Sequence, residues 1–478
     1  MDRVTAEDEA ILWPDPQWPQ EVGALAILDG ATLLDGGGGL RPAALAEAAD
    51  VIAGRIHRVP RLRQLLHTPP RLLGAPVWVD DPAFDVARHV RLQPLPASAG
   101  EPELVAAVEQ ILRTRLDRTK PLWEAWLLPG LPGGRVGLFF RLHHVIADGI
   151  AAMAILGTFL DAHPGSIAAP PSMPPPPVPP PPVHTGPPWS PASPPGRGEL
   201  FVDSVLRQLH RMPARLAVLR HPWSAGRSAR TGWQELHRLV EAEPAPGTIL
   251  DHPVGDGRRL ALFRVRLATV VAVAHASGGT VNDVLLTVVG GALRRWLVGH
   301  GESVDGRTLP VYVPKTLRTG GLDEARGNQI AQLVVPVPIG LSDPEERLAR
   351  IIRETRARKS QPALPIGGLV GRPSGQRLLL RVLQHHPVSV TTADLVGPST
   401  PRWFAGAELI EVFPILPLVS AVTVGVGALS YAGTLSVTFV VDADTVPDPG
   451  LMVAGAAADL AVLADRLGQR PAPRVSAS

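Results

Sequence analysis

The sequence predicts a mixed α/β fold in two domains, from three observations. At 478 residues the chain exceeds what one hydrophobic core ordinarily serves, roughly 150 residues per domain being usual. A stretch that is more than half proline, Pro170 to Pro195, divides it. On both sides of that stretch, strand-like apolar runs alternate with helix-like amphipathic ones. The resulting division is an N-terminal domain at residues 1–169, a proline-rich linker at 170–198 and a C-terminal domain at 199–478. Apolar residues make up 45% and charged residues 19% of the chain, enough to bury a sizeable core.

The elements follow in order. Glu21 to Leu28 reads as a buried strand, and Leu104 to Leu116 spaces its apolar residues as a helix does. Arg135 to Leu142 is a strand and Ile150 to Leu160 a helix. Proline lacks the backbone donor that helix and sheet require, so the divider is extended polyproline. Beyond it, Phe201, Val202, Val205, Leu206, Leu209 and Met212 share a helical face, with Arg207, Arg211, Arg215 and Arg220 around the rest. Such a helix either rests on an anionic lipid surface or packs on its own domain. Val281 to Val298 is a helix, Leu309 to Val313 and Ile330 to Val337 are strands, and Pro344 to Lys359 is a helix. Ala421 to Val441 carries no charge and satisfies the roughly 20-residue length of a membrane span. Its apolar residues nevertheless recur with period two around Tyr431-Ala432-Gly433-Thr434, so two antiparallel strands are predicted instead. A helix near Leu451 to Leu467 closes the series.

Composition excludes several classes of function. The formal charge is +2 and no long Lys/Arg block exists, so nucleic acid is not an expected partner. The absence of cysteine removes disulfides, thiolate nucleophiles and thiolate metal sites. The acidic start, Met1 to Glu9, lacks the basic-then-apolar layout of a secretory signal, which makes a cytoplasmic location the expectation.

Chemistry concentrates in Arg141-Leu142-His143-His144-Val145-Ile146-Ala147-Asp148-Gly149, an HHxxxDG motif between a strand and a helix. An imidazole with a pKa of about 6.5 can take a hydroxyl proton near neutral pH. Adjacent residues at a strand end face opposite sides, so one histidine faces a given channel and the other is structural. Asp148 either orients the imidazole or pairs with an arginine to pin the loop. Gly149 lets backbone come close where a side chain would block. No G-x-S-x-G elbow supplies a serine nucleophile, and neither H-E-x-x-H nor C-x-x-C supplies a metal site. Direct transfer with His144 as the base is the economical reading.

With Pro121-Leu122-Trp123-Glu124 some twenty residues upstream, the motif resembles that of the bacterial wax ester synthase/diacylglycerol acyltransferase family. Gly23 to Gly30, Phe84 to Val90, Asn282-Asp283-Val284, Val313-Pro314 through Arg318, Gly327-Asn328 and Ser430-Tyr431-Ala432-Gly433 resemble further family motifs in the same order. The resemblance spans about residue 5 to 467, excluding the linker.

It implies two chloramphenicol-acetyltransferase-like domains with a tunnel at their interface, admitting acyl-CoA from one side and a lipid alcohol from the other. It further implies His144 as general base toward a fatty alcohol or diacylglycerol, with acyl-CoA as co-substrate and no cofactor. Asp148 becomes a loop-holding ion pair with Arg318 a candidate partner, and Asn282 supports the tunnel or oxyanion unless it caps its helix. Trp123 is assigned to core packing and Glu124 to an ion pair or cap. A peripheral position on the inner membrane face or on lipid bodies goes with such substrates. Two stretches depart from the pattern. Ala393-Asp394-Leu395-Val396-Gly397-Pro398 stands where the family commonly has S-N-V-P-G-P, and Thr423-Val424-Gly425 replaces a G-x-N. A condensation-type acyltransferase on another acceptor shares HHxxxDG, and a silent lipid-binding homologue would retain the fold; these are the alternatives.

Overall fold

Two six-stranded sheets organise the computed structural model, which describes residues 1–70, 73–96, 99–164, 191–207, 247–316, 330–359 and 388–467. The first part of the chain forms α1 (Ala6–Leu12), β1 (Glu21–Asp29), α2 (Ala44–Arg55), β2 (Gln64–His67), β3 (Val77–Asp80) and β4 (Val90–Leu92), then α3 (Glu101–Leu112), β5 (Trp123–Leu131), β6 (Arg135–His143) and α4 (Gly149–Thr158). The second part forms β7 (Arg258–Arg266), α5 (Leu267–Ser277), α6 (Val281–Gly299), β8 (Leu309–Thr316), β9 (Ile330–Val337) and α7 (Pro344–Lys359). It continues with β10 (Val390–Val396), β11 (Trp403–Phe404), β12 (Ala407–Ile415), β13 (Val424–Tyr431), β14 (Thr434–Asp442) and α8 (Gly450–Leu467). The mixed α/β class and most of the predicted elements are present.

The sheets do not respect the linear division at the proline stretch. The first has the order β11-β12-β1-β6-β5-β4 and the second β7-β14-β13-β10-β8-β9. Residues 403–415, placed by the sequence with the C-terminal domain, therefore complete the N-terminal sheet, β12 running antiparallel to β1. Nothing in the local pattern of β12 says which sheet it joins, because pairing partners are chosen by tertiary contact. Most of the predicted linker lies outside the described residues, and its last residues, 197 and 198, already begin a helix that runs to 207.

Burial explains why β1 reads as a continuous apolar run rather than an alternating one. Ala24, Ala26 and Leu28 face a core shared with Ala44, Ala48 and Ile52 of α2. Leu25 and Ile27 face a second core containing Leu104 and Val108 of α3, Leu260 and Leu262 of β7, and Phe413 of β12. Both faces of the strand are thus covered. That second core joins the two sheets, and a third lies under α6 and α8.

Three local outcomes refine the sequence reading. The helix expected to reach Leu116 stops at Leu112, because Arg141 captures the carbonyls of Ile111 and Thr114 while Leu116 N–H donates to Glu21. The uncharged stretch is the β13–β14 hairpin, closed by Ala432 and Gly433 at φ 44° and 85°, the paired positive angles of a type I′ turn. Among the described residues no helix is long and apolar enough to cross a membrane. The helix at 197–207 is held by its polar side: Arg3 binds Asp203 at 2.6 Å, Ser204 donates to Leu73 O, and Leu200 is buried. Phe201, Val202, Val205 and Leu206 face outward, while Leu209, Met212, Arg211, Arg215 and Arg220 lie outside the described residues.

Because β12 and the joint core tie both sheets together, the chain should unfold in one transition despite its size. Phe413→Ala, which empties a fully buried site, should cost about 3–5 kcal/mol and move that single transition as a whole. Urea titration followed by tryptophan fluorescence and by far-ultraviolet dichroism checks this; two separated steps in the wild-type chain would contradict it.

Candidate active site

A row of alternating charges fixes the strands that carry the HHxxxDG motif. Glu21 on β1, Arg141 on β6, Glu124 on β5 and Arg91 on β4 occupy four adjacent strands. Arg141 donates to Glu21 at 2.8 Å and to Glu124 at 2.7 and 3.1 Å, and Arg91 reaches the other oxygen of Glu124 at 3.0 Å. Arg141 is only 1% exposed, a burial that an arginine tolerates when its donors are all used. Its remaining bonds go to the Ile111 and Thr114 carbonyls at the end of α3, where a cation also meets the favourable end of the helix dipole. Burial, acting against the neighbouring Arg141, holds the Glu21 carboxyl above its ordinary range. Glu124 of the P-L-W-E motif is thus an ion-pair residue. Trp123 is fully buried, donates to Leu62 O at 2.8 Å and stacks on His89, so both carry the structural roles expected of them.

Two residues past Arg141, on the same face of β6, His143 is also buried. Val145 N–H donates to its Nδ1 at 3.0 Å, so the ring proton must sit on Nε2, which donates to Asp15 Oδ1 at 2.8 Å. Arg118 binds the other oxygen of Asp15 and approaches the same ring edge. Burial first, then the charge of Arg118 and the proximity of His144, hold the His143 pKa well below that of a free imidazole. His143 is a neutral brace that ties the turn after β6 to the segment before β1.

His144 lies in that turn and is half-buried. Its backbone N–H donates to Gln20 O at 2.7 Å, and Gln20 N–H in turn donates to Asp15 Oδ1 at 3.1 Å. One carboxylate, Asp15, therefore clamps both neighbours of His144. Neither Asp15 nor Gln20 was legible in the sequence, since no spacing rule relates residue 15 to residue 143.

Asp148 is fully buried and caps α4, its Oδ1 accepting from Ala151 N–H at 2.9 Å. This is an N-cap in the ordinary sense and fixes the direction in which the turn leaves β6. Gly149 follows on the first helical turn; a Cβ there would stand 3.3 Å from Leu395 of β10. The motif's glycine is where the helix of one sheet meets a strand of the other. Asn282 lies half-buried on the first turn of α6 and forms no side-chain hydrogen bond among the described residues. The cap there is Thr280 with Asp283 in reciprocal bonds, so the capping role considered for Asn282 belongs to its neighbours. Arg318, Gly327 and Asn328 lie outside the described residues. Tyr431 of the late S-Y-x-G motif donates to Leu409 O and accepts from Arg402 N–H, both at 2.8 Å, fastening β13 to the β11–β12 segment. Among the described residues no group of three or more His, Asp or Glu side chains is placed to hold a metal ion.

Residues 6–285 match the wax ester synthase/diacylglycerol acyltransferase catalytic domain and residues 326–464 the corresponding C-terminal domain. The chain is 30% identical to a probable diacyglycerol O-acyltransferase, tgs1, of Mycobacterium tuberculosis, across 91% of this chain and 89% of that one. It is also 30% identical to a putative diacyglycerol O-acyltransferase of Mycobacterium bovis, across 86% and 80%. Among solved structures it is similar to the wax ester synthase/diacylglycerol acyltransferase from Marinobacter aquaeolei VT8, with a TM-score of 0.68, 21% identity and coverage of 98% and 100%. A starter condensation domain of rhizomide synthetase, solved with C8-CoA and Leu-SNAC, shares the fold at a TM-score of 0.57 and 16% identity, over 98% and 95% of the two chains.

The brace makes a pH-dependent contribution to stability with a defined sign. Folding lowers the His143 pKa, so below about pH 6.5 the unfolded chain binds the proton that the folded one refuses. The contribution is complete above that pH and is lost as pH falls. His143→Gln should therefore destabilise less at pH 5.5 than at pH 7.5, by about 1 kcal/mol, as read by urea unfolding at both values. Asp148→Ala, which deletes the cap, should cost about 1 kcal/mol or more, whereas Asp148→Asn should retain most of that stability; equal losses in thermal melts would contradict capping as the dominant role.

Proposed function

Because the chain belongs to the wax ester synthase/diacylglycerol acyltransferase family, we propose that it is an acyl-CoA-dependent O-acyltransferase, making triacylglycerol or wax ester, with His144 as general base. The observation that carries this is the division of labour in the motif. His143 is immobilised, neutral and committed on both nitrogens, while its neighbour stands half-buried in the turn beside the contact between the two sheets. With His143 so committed, the motif's place inside the matched catalytic domain supports assigning the proton transfer to His144.

In the proposed reaction His144 accepts the proton of the alcohol hydroxyl as that oxygen attacks the thioester carbonyl carbon. The tetrahedral intermediate collapses with cleavage of the C–S bond, and the coenzyme A thiolate takes the proton from the imidazolium. Ester and free thiol leave, and the base is restored without a covalent acyl-enzyme. Positioning two apolar substrates together supplies much of the acceleration, since a bimolecular encounter becomes effectively intramolecular. Asp148 and Gly149 serve by holding the turn and admitting Leu395; Asn282 and Arg318 are assigned supporting places around the substrates. The C8-CoA bound to the condensation-domain neighbour supports a coenzyme A thioester as donor on this fold, and the diacyglycerol O-acyltransferase names of the relatives support a glyceride acceptor. Lipid substrates favour action at an inner-membrane or lipid-body surface.

Purified full-length protein supplied with labelled palmitoyl-CoA and either dipalmitoylglycerol or hexadecanol should form labelled ester. His144→Ala should lower kcat about 10²- to 10⁴-fold while its dichroism spectrum stays that of folded protein. Failure of the wild-type chain to acylate any alcohol would sink the proposal.

A further inference from the structure

The helix at 197–207 is inverted with respect to an ordinary surface helix. Leu200, Asp203, Ser204 and Arg207 share one stripe, while Phe201, Val202, Val205 and Leu206 share the opposite one. The polar stripe is turned inward. Arg3, whose side chain is 5% exposed, binds Asp203 at 2.6 Å, Ser204 Oγ at 3.0 Å, Leu200 O at 3.1 Å and Ala75 O at 2.7 Å. Ser204 donates in turn to Leu73 O at 2.7 Å. The apolar stripe is left outward: Phe201 is 57%, Val202 54%, Val205 37% and Leu206 48% exposed. Met1, itself exposed, lies beside the helix, its carbonyl accepting from Arg207 at 2.7 Å. Among the described residues ten large apolar side chains are exposed, and five of them belong to this helix or to the residue bonded to it. Single exposed apolar residues are ordinary, whereas a cluster of them marks an interaction surface.

The charges around the stripe select its partner. Both acids of the helix are occupied, Asp203 by Arg3 and Arg207, and Glu199 by Gly196 N–H at 2.9 Å. Arg197 and Arg207 stand exposed at its two ends. From residue 204 to residue 234 the sequence holds six arginines and neither aspartate nor glutamate, with Leu209, Met212, Leu216, Trp223 and Trp233 among them. A second copy of the chain would bring that positive charge against itself, whereas an anionic lipid surface complements both the charge and the apolar stripe. We propose that the outward face of the helix at 197–207, together with Met1, is the surface by which the protein docks on an anionic phospholipid bilayer. The apolar stripe enters the boundary between headgroups and acyl chains, and the arginines pair with lipid phosphates. Because Arg3 and Ser204 lock the polar stripe to the body of the protein, the apolar stripe is held ready and docking needs no ordering of this helix. The docking gives a means to the surface action proposed above, and its bearing on turnover rests on that reading.

Full-length protein should co-sediment with vesicles of about one-third phosphatidylglycerol in phosphatidylcholine, and bind pure phosphatidylcholine more weakly by about fivefold for each arginine that reaches the surface. Raising salt from about 0.05 M to about 0.5 M should weaken binding to the mixed vesicles. Phe201→Ser combined with Leu206→Ser should lower partitioning on the order of 10- to 100-fold, while the thermal melt stays that of the wild type because both side chains are exposed. The chain has no cysteine, so Val202→Cys and Val298→Cys each accept a single environment-sensitive fluorophore. With mixed vesicles the emission should shift to the blue at 202 and stay unchanged at 298, an equally exposed valine on α6. Equal binding by the wild type and the double variant, or a shift at 298 with none at 202, would overturn the proposal. So would a lipid-free wild-type dimer in light scattering that the double variant converts to monomer, which would assign the face to a second copy of the chain. None of these measurements uses a substrate, so vesicle binding without ester from any acceptor would overturn the acyltransferase reading alone, and ester formation without vesicle binding would overturn the docking alone.

Discussion

Arg141 is the residue on which the rest of the site depends. It sits on β6, the second strand of a four-strand row of alternating charges, and bonds to two acids and to two carbonyls at the end of α3. Buried ion pairs are not a general source of stability, because desolvation consumes most of what Coulomb attraction gains. What this one provides is register. Side chains alternate with period two, so a slip of one residue in β6 would turn Arg141 and His143 toward the apolar core and Leu142 toward the acids. Such a slip leaves three or more charges buried without partners, a far larger penalty than the loss of a few backbone bonds. The strand order alone does not fix where the motif lies along the sheet; the charges do.

From that fixed register the site is assembled by short steps, each using a different kind of bond. His143 is in register with Glu21 across β1, and its two ring nitrogens close the turn on one side and grip Asp15 on the other. The Asp148 cap sets the helix direction, and the absence of a side chain at Gly149 lets the second sheet come within contact. Between these anchors lies His144, the histidine to which the proposed proton transfer is assigned. A base held on backbone bonds and rigid elements needs little reorganisation when a proton moves, which is the condition under which positioned proton transfer is efficient.

How much of this the sequence discloses follows from how local each cause is. β6, α4, α6 and the β13–β14 hairpin announce themselves through period and turn chemistry, and the motif histidines through adjacency. β12 is not disclosed as a member of the first sheet, for its partner β1 lies at the far end of the chain. Asp15 and Gln20 sit in a proline-punctuated turn that looks like any surface loop. Only the fold shows that a carboxylate there faces a ring 128 positions away. Arg141 looks like an ordinary strand-end arginine until Glu21 and Glu124 are seen flanking it. The end of α3 likewise depends on Arg141 competing for its last carbonyls, and helical periodicity carries no trace of that.

The membership of β12 in the first sheet has a bearing on how the chain is made. During synthesis β1 emerges early, yet the strand that covers its outer edge is nearly four hundred residues behind it. At the usual rate of about 5–20 residues per second, that edge stays uncovered for on the order of 20–80 seconds. An uncovered apolar strand is a template for pairing with another chain. The nascent N-terminal half is therefore a natural client for chaperones that shield hydrophobic edges. The same argument makes any early stop before residue 415 worse than a simple loss of function, since it releases a polypeptide with a permanently open sheet.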